Sequence, residues 1–114
     1  MTSFRLARVY TEPTSSDGTR VLADRLWPRG LSKEKARIDL WLKDLTPSNG
    51  LRIWYHTHPE DFDEFSARYR QELEAQPQAI EQLLGAGEFV TLLTARKELE
   101  HSHLVVLLEV LERS

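Results

Sequence analysis

The chain has no cysteine. No disulfide can staple it and no thiolate can act as nucleophile or metal ligand, which fits a reducing compartment. No apolar run approaches the roughly 20 residues that a membrane-spanning helix needs. The start, Met1-Thr2-Ser3-Phe4-Arg5, lacks the apolar core of a signal peptide. The expectation is a soluble, cytoplasmic protein. There is no Walker loop and no GxGxxG fingerprint, so neither motif names a cofactor. No nucleophile elbow surrounds Ser15, Ser16 or Ser48, which argues against a serine hydrolase. Internal repeats, linkers and low-complexity tracts are missing as well.

What is present is globular. Hydrophobic residues make up 40% and charged residues 29% of 114 positions, enough for one domain over residues 1–114 with its own core. The net charge is -3, but it is unevenly spread. Residues 1–37 hold eight Lys/Arg against four Asp/Glu, and the remainder holds seven against fourteen. The basic part can form an anion-facing surface, or the two parts can neutralise each other within one small fold.

Phe4 to Tyr10 alternates as a strand does, and Thr11 to Thr19, with Pro13 and Asp17-Gly18, reads as a loop. Arg20 to Leu26 reads as a second strand, stopped by Pro28-Arg29-Gly30. Ser32 can cap a short helix through Arg37. In 38–45, Ile38, Leu40 and Leu42 alternate as in a strand, whereas Ile38, Trp41 and Leu45 suit a helix; the exit loop Thr46–Gly50 favours the strand. Ser48 can cap a helix carrying Leu51, Trp54 and Tyr55. Pro59 fits a first helical position ahead of Phe62, Phe65, Tyr69 and Leu73, which recur on one face. Pro77 opens a further helix that ends at Gly85 and Gly87. Near-continuous apolar character in 88–95 predicts a central parallel strand covered on both faces. The spacing predicts a last helix from Lys97 or Glu98 to Glu112. Strands alternating with helices give an α/β class: a single three-layer, Rossmann-like domain with a mostly parallel sheet of about four strands.

In such a sheet the outgoing loops gather at one edge, where ligands bind. Those loops bring together Asp24, Arg25, Trp27, Arg29, Ser48, Arg96 and His101. Arginine forks match phosphate or carboxylate, Trp27 can stack on a flat ligand or on Arg29, and Asp24 or His101 can handle a proton. The competing reading is a buried structural pair, Asp24 with Arg25 or Arg96, under a core tryptophan. Trp41 and Trp54 read as core or interface aromatics. His56 and His58 share a face only in extended chain, and His101 and His103 point to different helical faces, so no metal site is expected.

The motifs Asp24-Arg25-Leu26-Trp27-Pro28-Arg29-Gly30, Trp41-Leu42-Lys43, Leu51-Arg52-x-Trp54, Phe65-x-x-Arg68-Tyr69-x-x-Glu72-Leu73 and Val90-Thr91-Leu92-Leu93 with Glu100-His101 closely resemble the YeaO-like family, one branch of a larger group of bacterial domains of unknown function. The resemblance runs from about Arg8 to Leu111 and implies a Rossmann-type fold. In the wider group the strand matching Val90–Thr94 often ends in cysteine, and a Cys-His-Arg run opens the last helix. This chain has Thr94 and Glu100-His101-Ser102 at those places, so a thiol-based role is not carried over, whereas His101 and the Asp24–Arg29 motif are. The expected partner is an anionic, phosphate-bearing or nucleotide-like small molecule. A nucleic-acid-binding or regulatory module is the alternative. It is disfavoured by the net charge of -3 and by the lack of a recognisable reading helix.

Overall fold

The computed structural model describes residues 2–114. Four strands, β1 (Ser3–Arg8), β2 (Thr19–Leu22), β3 (Leu40–Trp41) and β4 (Phe89–Thr94), form one sheet in the order β1-β4-β2-β3. All pairings are parallel. The helices are α1 (Lys33–Ala36), α2 (Asn49–Thr57), α3 (Phe62–Glu74), α4 (Pro77–Leu84) and α5 (His103–Glu112).

Alternation along the strands feeds two cores. Leu6, Leu92, Val21 and Leu40 stand in one row across the sheet and join the main core with α2–α5, where Tyr69, Leu104 and Leu107 are wholly buried. The next row, Ala7, Leu93, Leu22 and Trp41, faces the other way and packs with Val9, Trp27, Leu31 and Ile38. These two covers and the sheet make three layers. β4 lies between β1 and β2 and is buried from Val90 to Thr94, the central position that its apolar run predicts.

The thinner cover is anchored by polar contacts. Asp17 is buried, and its carboxylate accepts from Thr14 N and Oγ1, each at 3.0 Å, from Arg20 Nη1 at 2.7 Å and from Arg5. Arg20 also donates from Nε to Ala36 O at 3.1 Å, tying α1 to the sheet. Thr91 Oγ1 reaches Asp17 O at 2.7 Å. A buried charge of this kind is tolerated because it is both paired and hydrogen-bonded.

Several boundaries differ from expectation, each for a local reason. β1 ends at Arg8 and leaves Tyr10 exposed in a turn. β2 ends at Leu22 rather than Leu26, because from Asp24 onward the chain bonds through side chains instead of the ladder. β3 is two residues long, since a 3-10 turn at Lys43–Leu45 follows at once. α3 begins at Phe62, and Pro59 sits in the preceding turn. α5 begins at His103 and not at Lys97 or Glu98. Ser102 is extended (φ -87°, ψ 162°), and its hydroxyl donates to Leu99 O at 2.7 Å, closing a separate turn first. His101 therefore lies before the helix and not one turn inside it.

Two glycines with positive φ differ sharply in their surroundings. A Cβ on Gly18 (φ +65°) would sit 2.2 Å from Phe89 O, whereas at Gly30 (φ +78°) nothing lies within 4 Å. Gly30→Ala should cost only the backbone penalty, ~1 kcal/mol. Gly18→Ala should cost at least ~2 kcal/mol more, because β4 must shift. Urea midpoints of the two variants check this, and equal losses would contradict the close approach.

Candidate functional site at the carboxyl edge of the sheet

A cavity of about 940 Å³ opens at the carboxyl ends of the strands. Its walls come from the loop after β1 (Tyr10), the loop after β2 (Asp24 to Arg29), the segment after β3 (Thr46, Pro47), α2 (Arg52, Ile53, Tyr55, His56) and the exit of β4 (Thr94 to Arg96). Its size falls at the upper end of small-molecule sites.

The walls are held together by Asp24. Its Oδ1 accepts from Thr94 Oγ1 and its Oδ2 from Ala95 N, both at 2.7 Å, joining the exits of β2 and β4. Its main-chain carbonyl accepts from Trp41 Nε1 at 2.6 Å, adding β3. One residue earlier, Ala23 N donates to Leu93 O at 3.1 Å, and Ala23 O accepts from the His103 imidazole at the start of α5. His103 Nε2 is also 3.5 Å from Asp24 Oδ1, and the two side chains are 12% and 16% exposed.

Arginine dominates the charge. Arg25, Arg29, Arg52 and Arg96 line the cavity against a single carboxylate, Asp24. Among the described residues none of the four arginines pairs with an acid. The pairing of Asp24 with Arg25 or Arg96 that the sequence left open is not formed. Arg25 Nη2 donates to Pro47 O at 3.1 Å, while its Nε is buried without a hydrogen-bond partner. The Arg96 guanidinium lies 5.1 Å from the centre of the Tyr55 ring. Trp27 both lines the cavity and closes the second core: Nε1 donates to Leu31 O at 2.6 Å and its ring meets Trp41 edge-on at 5.4 Å.

Of the residues singled out from sequence, Asp24, Arg25, Trp27, Arg29 and Arg96 share this cavity; Ser48 and His101 do not line it. Ser48 caps α2, its Oγ accepting from Leu51 N at 3.2 Å. The same hydroxyl and the Ser48 N–H donate to Glu72 at 2.6 and 2.7 Å. Its one hydroxyl donor and one of its two lone pairs thus fix α2 against α3. His101 is exposed, with Nδ1 3.9 Å from Glu98 and its ring edge-on to Phe62 at 5.3 Å. The histidine beside Asp24 is His103, a position that the expected helix start had turned to another face. Arg52 and Ile53 also escaped notice. The signal was available: Ile53 breaks the polar side of a helix whose buried face is Leu51 and Tyr55.

The chemistry of the pair is constrained. Burial pushes the His103 imidazole below its ordinary value; the Asp24 carboxylate and the Ala23 carbonyl draw it upward, Arg96 pushes it down, and the net is a lowered pKa. The folded protein thus binds less proton than the unfolded chain just below pH 6.5, the ordinary imidazole value. This contribution to stability is whole above that pH and is lost as pH falls towards the lowered folded value. Urea midpoints of the wild type should drop between pH 7.5 and pH 5, and His103→Gln should shrink that drop. An unchanged pH profile in the variant would contradict the buried neutral imidazole.

Residues 3–114 match the family described as the "Inactive DUF488-N3 subclade". The chain is similar to the uncharacterized protein Rv3073c of Mycobacterium tuberculosis H37Rv, with 44% identity over 111 residues, covering 96% of this chain and 94% of that one. It is also similar to the uncharacterized protein YeaO of Escherichia coli K12, with 38% identity over 102 residues, covering 88% and 89% respectively. No solved structure matches. With a family match running over nearly its whole length and YeaO among its relatives, the chain belongs to the inactive DUF488-N3 subclade, a YeaO-like α/β domain.

Proposed function

We propose that the domain binds a small phosphate-bearing or nucleotide-like anion in the cavity at the carboxyl edge of its sheet, and that it holds this ligand without turning it over. The observation that carries the reading is the charge of the cavity. Four arginines without an acidic partner among the described residues line it in a protein whose net charge is -3. Arg25 is half-buried and Arg29, Arg52 and Arg96 are exposed; guanidinium groups gathered along one concave surface sum to a positive potential that attracts an anion.

Holding without turnover is supported by the commitments of Asp24 and His103, with the exposed His56 as the other imidazole on the cavity wall. Both Asp24 oxygens already accept hydrogen bonds, and His103 donates to a main-chain carbonyl. The description of the family as inactive agrees with this. A nucleic-acid strand is the weaker reading, because it needs a basic track beyond the cavity, and residues 38–114 hold seven Lys/Arg against fourteen acids.

Calorimetric titration with inorganic phosphate and with a nucleoside monophosphate tests the proposal. Saturable binding is expected, weakened by salt. Arg29→Ala and Arg25→Ala should each lower affinity ~10-fold or more, the worth of a charge-assisted hydrogen bond. Arg68→Ala should not, because Arg68 pairs with Glu64 at 2.9 Å and does not line the cavity. The proposal fails if neither anion saturates the protein, or if Arg68→Ala weakens binding as much as Arg29→Ala.

A further inference from the structure

We infer that the ligand is amphipathic: an anionic group on the arginines joined to a compact apolar body. The inference rests on the anion-binding reading above and adds to it the chemistry of the cavity mouth. Large apolar side chains left exposed among the described residues are Tyr10 (43%), Leu26 (75%), Ile53 (59%) and Phe89 (57%). Three of these four, Tyr10, Leu26 and Ile53, line the same cavity. Phe89 stands at the first residue of β4, the opposite edge of the sheet.

A single exposed leucine needs no explanation. Convergence does, because these three come from the loop after β1, the loop after β2 and helix α2. None of the three is a member of either buried cluster. Nor is the ring of Tyr10 loosely placed. Its hydroxyl donates to Arg29 O at 3.0 Å, and the Arg8 guanidinium lies 5.5 Å from its centre. The ring is therefore tied to the main chain of an arginine that lines the same cavity.

The occupant must suit both parts at once. Inorganic phosphate would satisfy the arginines but leave most of a cavity of about 940 Å³ to water and the three apolar side chains uncovered. An uncharged apolar molecule would cover those side chains but leave four guanidinium groups without a counter-charge. One molecule carrying both an anionic and an apolar part meets both demands, and burial of the apolar part supplies affinity that the anion alone lacks.

Calorimetric titration of the full chain with inorganic phosphate, phenyl phosphate and butyl phosphate tests this. At least one organic phosphate should bind ~10-fold or more tightly than inorganic phosphate, a gain of about 1.4 kcal/mol. A gain confined to phenyl phosphate assigns a flat body, and an equal gain with butyl phosphate assigns any compact hydrocarbon; either supports the inference. Leu26→Ser and Ile53→Ser should weaken the organic phosphate more than inorganic phosphate, bringing their ratio towards one. Phe89→Ser, outside the cavity, should leave the ratio intact. Circular dichroism confirms that each variant stays folded. Inorganic phosphate that binds as tightly as both organic phosphates overturns this inference and leaves the anion site standing. So does a gain that persists undiminished in both serine variants. Absence of binding by all three overturns the anion site itself.

Discussion

The carboxylate of Asp24 is the constraint on which the carboxyl edge depends. One side chain joins the ends of β2 and β4, with Thr94 Oγ1 and Ala95 N each at 2.7 Å. The main chain beside it draws in Trp41 and His103. A parallel sheet has no hairpins to register its strand ends, and its outgoing loops would otherwise splay. Here charge-assisted hydrogen bonds, stronger than neutral ones, fix where the Arg25–Arg29 segment and Arg96 stand relative to each other. The second core then seats Trp27 under that segment, packed with Val9, Leu22 and Leu93.

This arrangement separates the two kinds of charge. The acid at the edge is engaged at both oxygens, whereas the arginines around it have no acidic partner among the described residues. The same division supports the proposed reading of binding without turnover. A general acid or base must be within hydrogen-bond reach of substrate and free to exchange its proton. Asp24 is engaged at both oxygens, and His103 is buried with a lowered pKa beside it. The exposed groups left on the cavity wall include Arg29, Arg52, Arg96, Leu26, Ile53 and His56.

Much of the fold was legible because its signals are local. Val90 to Thr94 reads as a central strand from apolar content alone, and it is buried throughout between β1 and β2. Pro77 and Ser32 mark the helix starts that they occupy. The misplacements arise where two local preferences compete. Lys97 to Ser102 could extend α5 by periodicity, but the hydroxyl of Ser102 satisfies Leu99 O in a turn and the helix starts after it. That shift of a few residues exchanges His101 for His103 at the site. Ser48 carried two readings, cap and ligand group, and its bonds to Leu51 and Glu72 select the first.

The order of residues alone settled the class of fold, the central strand and the arginine-rich turn as a strand exit, because burial pattern and turn chemistry act over a few neighbouring positions. Whether Arg29 and Arg96 share a cavity, which histidine meets Asp24, and that Tyr10, Leu26 and Ile53 gather at one mouth were decided only by the folded chain. These depend on strand order and helix start points, which set distances between residues up to 80 positions apart, as in the contact of His103 with Ala23. No local propensity encodes such a distance; it is fixed by which strands pair and by how the crossovers pack.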